Sequence, residues 1–90
     1  MADESETYLE AVLELEPNAD AARVADWLAG RGMTAVPLAV GLLAGADLQT
    51  LASAFGVAPG EVRPGAELPV PAELRGQVAS VRIAPEKQYL

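Results

Sequence analysis

Three stretches decide the fold: Val24-Ala25-Asp26-Trp27-Leu28-Ala29-Gly30-Arg31-Gly32, Leu42-Leu43-Ala44-Gly45, and Leu48-Gln49-Thr50-Leu51-Ala52-Ser53-Ala54-Phe55-Gly56-Val57. In the first, Ala21, Val24, Trp27 and Leu28 recur at helical spacing. Asn18 is the candidate N-cap, with Asp20 in the favourable first turn. Gly30 and Gly32 stop the helix, with Arg31 near its negative end, so a helix is predicted over about 19–30. In the third, Leu48, Leu51, Ala52 and Phe55 fall at i, i+3, i+4 and i+7. Asp47 sits at the start of this second helix, and Gly56 fits a left-handed stop followed by the apolar Val57.

Between the helices lies an apolar hairpin. Residues 33–36 read as a strand, and Pro37 cannot donate to a ladder, which assigns this strand to a sheet edge. A turn falls near 38–41, and Leu42-Leu43-Ala44 reads as a buried strand ended by Gly45. The turn sequence Pro37-Leu38-Ala39-Val40-Gly41 is unusually apolar, either self-packed or a patch that seeks a partner.

Outward from this centre, residues 7–16 alternate. Leu9, Ala11, Leu13 and Leu15 take one face, and Glu10, Val12, Glu14 and Glu16 the other. Helix is the rival reading, because Glu, Leu and Ala are good helix formers; period two over ten residues favours a strand. Residues 58–71 carry Pro59, Gly60, Pro64, Gly65, Pro69 and Pro71 and read as an irregular connection. Ala72-Glu73-Leu74-Arg75 suits one helical turn, and 77–84 reads as the last strand, with Val78, Val81 and Ile83 β-branched.

The element order is β-α-β-β-α-β. It implies an α+β, ferredoxin-like sandwich: a four-stranded antiparallel sheet with two helices on one face. In that arrangement strands one and three are central, and strands two and four are edges.

Ninety residues make one domain. The division is an acidic, disordered lead over 1–6, a single domain over 7–84 and a C-terminal tail over 85–90. The apolar fraction of 51% suffices for a core, although much of it is alanine. The single Trp27 and the single Phe55 are the expected aromatic anchors.

A net charge of −7 excludes nucleic acid and disfavours anionic membranes as partners. No stretch approaches the length of a membrane span. With Met1 as natural start the chain is expected in the cytoplasm; as an excised piece of a secreted precursor it is expected outside the cell.

Catalysis is not expected. Without histidine or cysteine there is no imidazole base, Ser-His relay or thiolate nucleophile. No cofactor and no metal are called for. Glu10, Glu14 and Glu16 on alternate positions of one strand read first as a solvated charged face and second as a contact face for a partner. Gly30-Arg31-Gly32 follows a helix instead of opening one, so it caps and does not cradle phosphate.

The chain resembles the propeptide, or activation domain, of serine peptidases. The likeness is to the sedolisin and kumamolisin type, and more loosely to subtilisin propeptides and their free-standing inhibitor relatives. Those domains carry a pattern like V-x-x-W-L-x-x-x-G, an apolar hairpin ending near Gly, L-x-x-x-F-G-V, and a Pro-rich run closing with L-P-x-x-L and V-x-x-V. Val24, Trp27-Leu28 and Gly32 match the first element, and Leu42 to Gly45 the hairpin strand. Leu51 with Phe55-Gly56-Val57 matches the third; Leu68-Pro69-Val70-Pro71-Ala72-Glu73-Leu74, then Val78 and Val81, resembles the last. Arg82-Ile83 stands where a Gly-Leu is usual, and the catalytic residues of the peptidases are not in this sequence.

The resemblance implies a propeptide-like domain that binds a subtilisin- or sedolisin-like serine peptidase as inhibitor, folding chaperone or both. It implies that the open sheet face packs on surface helices of the peptidase, with Glu10 and Glu14 meeting helix N-termini. It further implies a product-like tail in the substrate cleft: Leu90 in the pocket before the scissile bond, with Tyr89, Gln88 and Lys87 behind it. The alternative is a stand-alone propeptide-like fold repurposed as a cytoplasmic peptide- or protein-binding module, using the Pro37 edge or the apolar hairpin. The free protein is expected to be a monomer or weak dimer.

Overall fold

The computed structural model describes residues 8–85. Over these described residues the fold is α+β, with two helices and one antiparallel sheet. Seven elements follow in order: β1 (Tyr8–Leu15), α1 (Ala21–Gly30), β2 (Thr34–Pro37), β3 (Gly41–Asp47), α2 (Leu48–Phe55), β4 (Glu67–Leu68) and β5 (Val78–Ile83). Short 3-10 turns at Pro59–Glu61 and Ala72–Leu74 punctuate the long connection.

The strand order is β2-β3-β1-β5-β4, so the sheet has five strands and not the four expected. The extra strand is β4, two residues inside the Pro-rich connection. Leu68 is buried and pairs with Val81, while Glu67 pairs with Arg82. The last strand is therefore not an edge: β4 covers its outer side. Two residues between Gly65 and Pro69 carry no periodicity, which is why sequence alone misses this strand.

Alternation fixes which face is buried. Ala11 pairs with Ala44 and Ile83, and Leu13 pairs with Leu42 and Val81. All six are buried, and they form one core with Val24 and Leu28 of α1 and Leu51, Ala52 and Phe55 of α2. α1 packs on β2 and β3, and α2 packs on β3.

The helix ends follow side-chain chemistry. Asp20, not Asn18, caps α1: its Oδ1 accepts the Arg23 N–H at 3.2 Å. Gln77 Oε1 accepts the Asp20 N–H at 2.7 Å, tying the helix start to the approach to β5. Asp47 Oδ1 accepts the Thr50 N–H at 2.7 Å and starts α2. Gly56 ends α2 at φ 69°, and the Val57 N–H donates to Ala52 O.

Gly45 does not end its strand, as the sequence suggests; β3 runs two residues further, to Asp47. Phe55 is buried, whereas Trp27 is only partly so: it lies at the flank, tilted on Phe55 with ring centroids 5.9 Å apart. The Arg31 guanidinium stacks 4.0 Å from the Trp27 ring centroid.

Candidate functional site: the helix-free sheet face

Residues between the inward-pointing ones form a second face on which no helix of the described residues packs. The register arranges it in rows across the strands. The central row is Val36, Leu43, Val12, Arg82 and Glu67. On one side lie Thr34, Gly45 and Glu10; on the other lie Gly41, Glu14 and Ser80. Glu10 and Glu14 therefore stand on either side of Val12, about 13 Å apart along β1. Three aliphatic side chains run between them.

Val12 and Leu43 are half-buried by neighbours in the sheet, and Val36 is 51% exposed. Arg82 pairs with Glu67 at 3.5 Å, with both side chains about two-thirds exposed (63% and 69%). Solvent screening leaves such a pair little stabilising value. Ser80 Oγ donates a long hydrogen bond of 3.4 Å to Glu14 Oε1. Among the residues that the register places on this face, Arg82 is the one cation, so the face carries a net negative charge from Glu10 and Glu14.

Glu16 does not join them. The pairing of β1 with β5 shifts between Glu14 and Leu15, and Glu16 lies beyond the strand, lining a groove beside α1. The alternation that put all three carboxylates on one face breaks at this irregularity. Among the described residues, no three acidic side chains gather closely enough to hold a metal ion.

Tyr8 was not singled out by the sequence, yet it shapes one corner of the face. Its ring lies across Gly45, where a glycine leaves room for it. Thr34 Oγ1 donates to Gly45 O at 3.3 Å, which leaves the Tyr8 hydroxyl to donate to Thr34 Oγ1 at 3.0 Å. Gly41 is bare for a different reason: a Cβ there would run into the Leu13 carbonyl.

The apolar hairpin is exposed. Leu38 is 40% and Val40 67% accessible, and a groove of about 570 Å³ runs between it and Ala21, Ala22 and Ala25 of α1. The neighbouring edge offers little to an incoming strand. The Leu38 N–H bonds Gly41 O at 2.8 Å, so by alternation Val36 and Thr34 also face β3. Ala35 and Pro37 face outward, and Pro37 has no N–H to give.

β5 is held from both sides at its end. The Ile83 N–H bonds Ala66 O, and the Ala84 N–H bonds Glu10 O, both at 2.8 Å. Lys87, Gln88, Tyr89 and Leu90 lie outside the described residues. Compared with known proteins, the chain matches no family model, no curated protein and no solved structure.

Proposed function

We propose that this chain is a propeptide-like domain that binds a subtilisin- or sedolisin-type serine peptidase, as inhibitor, folding chaperone or both, and does no chemistry itself. One observation carries the reading: a helix-free sheet face with an aliphatic row between Glu10 and Glu14. A sheet covered on only one side leaves a surface suited to another protein. The order β2-β3-β1-β5 of the four longer strands supports the ferredoxin-like arrangement that the resemblance implies, with β4 as an addition to it. β5 ends beside Glu10, bonded on both sides. That anchorage suits a segment delivered into a cleft while the face is docked. The four residues Lys87, Gln88, Tyr89 and Leu90 are proposed as that segment.

The test is inhibition of a panel of subtilisin-like and sedolisin-like peptidases by the full chain and by a version ending at Glu86. The expected result is inhibition by the full chain that weakens strongly on truncation. A panel untouched at micromolar concentration by either form would sink the reading.

The exposed hairpin favours a second reading, a binding module without a peptidase partner. Its contact would be the Leu38–Val40 groove and not the Pro37 edge, where Pro37 has no N–H to give. Capture of one stoichiometric non-peptidase partner, lost on Val40→Asp and unchanged by truncation at Glu86, would select it.

A further inference from the structure

The rows of the helix-free face run across the strands, and this sets the shape of what can lie on them. Val36, Leu43 and Val12 sit on three neighbouring strands in one row. Adjacent strands are about 4.8 Å apart, so the row advances about 9.6 Å in two steps. A helix laid along it advances about 4.5–6 Å from i to i+3 or i+4 and about 10.5 Å from i to i+7. An amphipathic stripe at i, i+3 or i+4, and i+7 therefore keeps step with the three aliphatic side chains. A strand laid the same way repeats its face about every 6.6 Å and falls out of step.

Charge fixes the flanks. A helix crossing at Val12 passes between Glu10 and Glu14, with one carboxylate on each side of it. A helix N-terminus could meet only one of the two, because the other lies on the opposite flank. Side chains from both flanks reach both. The single cation in the row, Arg82, is engaged by Glu67, and among the described residues neither Glu10 nor Glu14 is ion-paired.

We propose that the helix-free face binds one amphipathic helix laid across its strands, with its apolar stripe on Val36, Leu43 and Val12 and with Lys or Arg on both flanks against Glu10 and Glu14. The inference rests on the docking role given to this face above, but not on the partner being a peptidase. It makes association faster at low salt, because complementary charges steer encounter.

Two synthetic 15-residue helical peptides test it, with the same leucine stripe and either Lys or Glu on both flanks. Amide shifts of the full chain locate the contact, and titration gives the affinity. The Lys peptide is expected to perturb β1, β2 and β3 amides around Val12, Val36 and Leu43, and to bind at least tenfold more tightly than the Glu peptide. Glu10→Gln with Glu14→Gln should weaken the Lys peptide about fivefold to tenfold, as for two exposed charge contacts. Val36→Asp, at an exposed site that leaves the core intact, should abolish binding. Equal affinity for both peptides, no binding, or shifts confined to the helices or to the hairpin groove would overturn the proposal. Peptidase inhibition without Lys-peptide binding would refute this inference alone; Lys-peptide binding with an untouched peptidase panel would refute only the peptidase reading.

Discussion

Tyr8 lies over Gly45, with its hydroxyl 3.0 Å from Thr34 Oγ1. Gly41 and Gly45 of β3 differ in what an added side chain would meet. A Cβ at Gly45 meets two side chains that can turn away, the Tyr8 ring, 58% exposed, and the Thr34 hydroxyl. A Cβ at Gly41 meets the Leu13 backbone, which cannot. Gly45→Ala should cost about 1 kcal/mol, the value of the lost Tyr8–Thr34 bond. Gly41→Ala should cost about 3 kcal/mol, through forced displacement of β1. Urea denaturation checks both, and in a Tyr8→Ala background the Gly45→Ala cost should fall to what the remaining contact with the Thr34 hydroxyl imposes.

Asp47 gives the fold a pH-dependent component. The Thr50 N–H, then the Thr50 hydroxyl, hold its carboxyl below the ordinary value of 3.8, against a smaller opposing effect of burial. A folded-state pKa below the unfolded one stabilises fully above the unfolded value, and the contribution is lost as pH falls through the folded value. Asp47→Asn keeps a capping oxygen but not the charge. Its melting temperature should lie below that of the wild type at pH 6, with the gap closing below about pH 4. A gap independent of pH would refute this account.

The reasons some elements were legible in the sequence, and others not, are local. The Leu48, Leu51, Ala52, Phe55 repeat lies between an aspartate cap and a left-handed glycine, so period and punctuation agree on α2. At α1 the period places the helix, but Asn18 and Asp20 are both competent caps in the sequence; Asp20 is the one whose Oδ1 meets the Arg23 N–H, and its own N–H is held by Gln77, 57 residues away. Gly45 reads locally as a strand end, yet it is an interior position whose missing side chain is replaced by Tyr8 from another strand. The placement of Glu10 and Glu14 on one face followed from alternation; the departure of Glu16 depended on an irregularity against β5. The row Val36, Leu43, Val12 was invisible because it is formed by register between strands, not by spacing along one.

Arg31 links the helix layer to the long connection. Its guanidinium covers Trp27 at 4.0 Å and lies 3.7 Å from Glu73. Trp27 Nε1 is buried without a hydrogen-bond partner, so the indole contributes area at the cost of an unmet donor. Arg31→Ala should therefore cost about 1 kcal/mol, mainly the cation–π contact. Trp27 emission should move to longer wavelength and become more accessible to acrylamide. Trp27→Phe removes the unmet donor and should cost less than Phe55→Ala, which opens a cavity worth about 3–5 kcal/mol in a packed core.

Val12 and Leu13 are adjacent in sequence and opposite in role. Leu13 is fully buried against Leu42 and Val81, so Leu13→Ala should cost about 2–5 kcal/mol. Val12 lies at the centre of the helix-free face, half-exposed, where Val12→Thr should cost about 1 kcal/mol or less. If the face is the docking surface, the functional order reverses. Val12→Thr should weaken peptidase inhibition by at least tenfold in a protein that still melts cooperatively. Leu13→Ala, assayed at a temperature where it remains folded, should inhibit as the wild type does. Equal effects of the two on inhibition, after correction for the folded fraction, would mean that the face acts only as scaffold and that contact is made elsewhere.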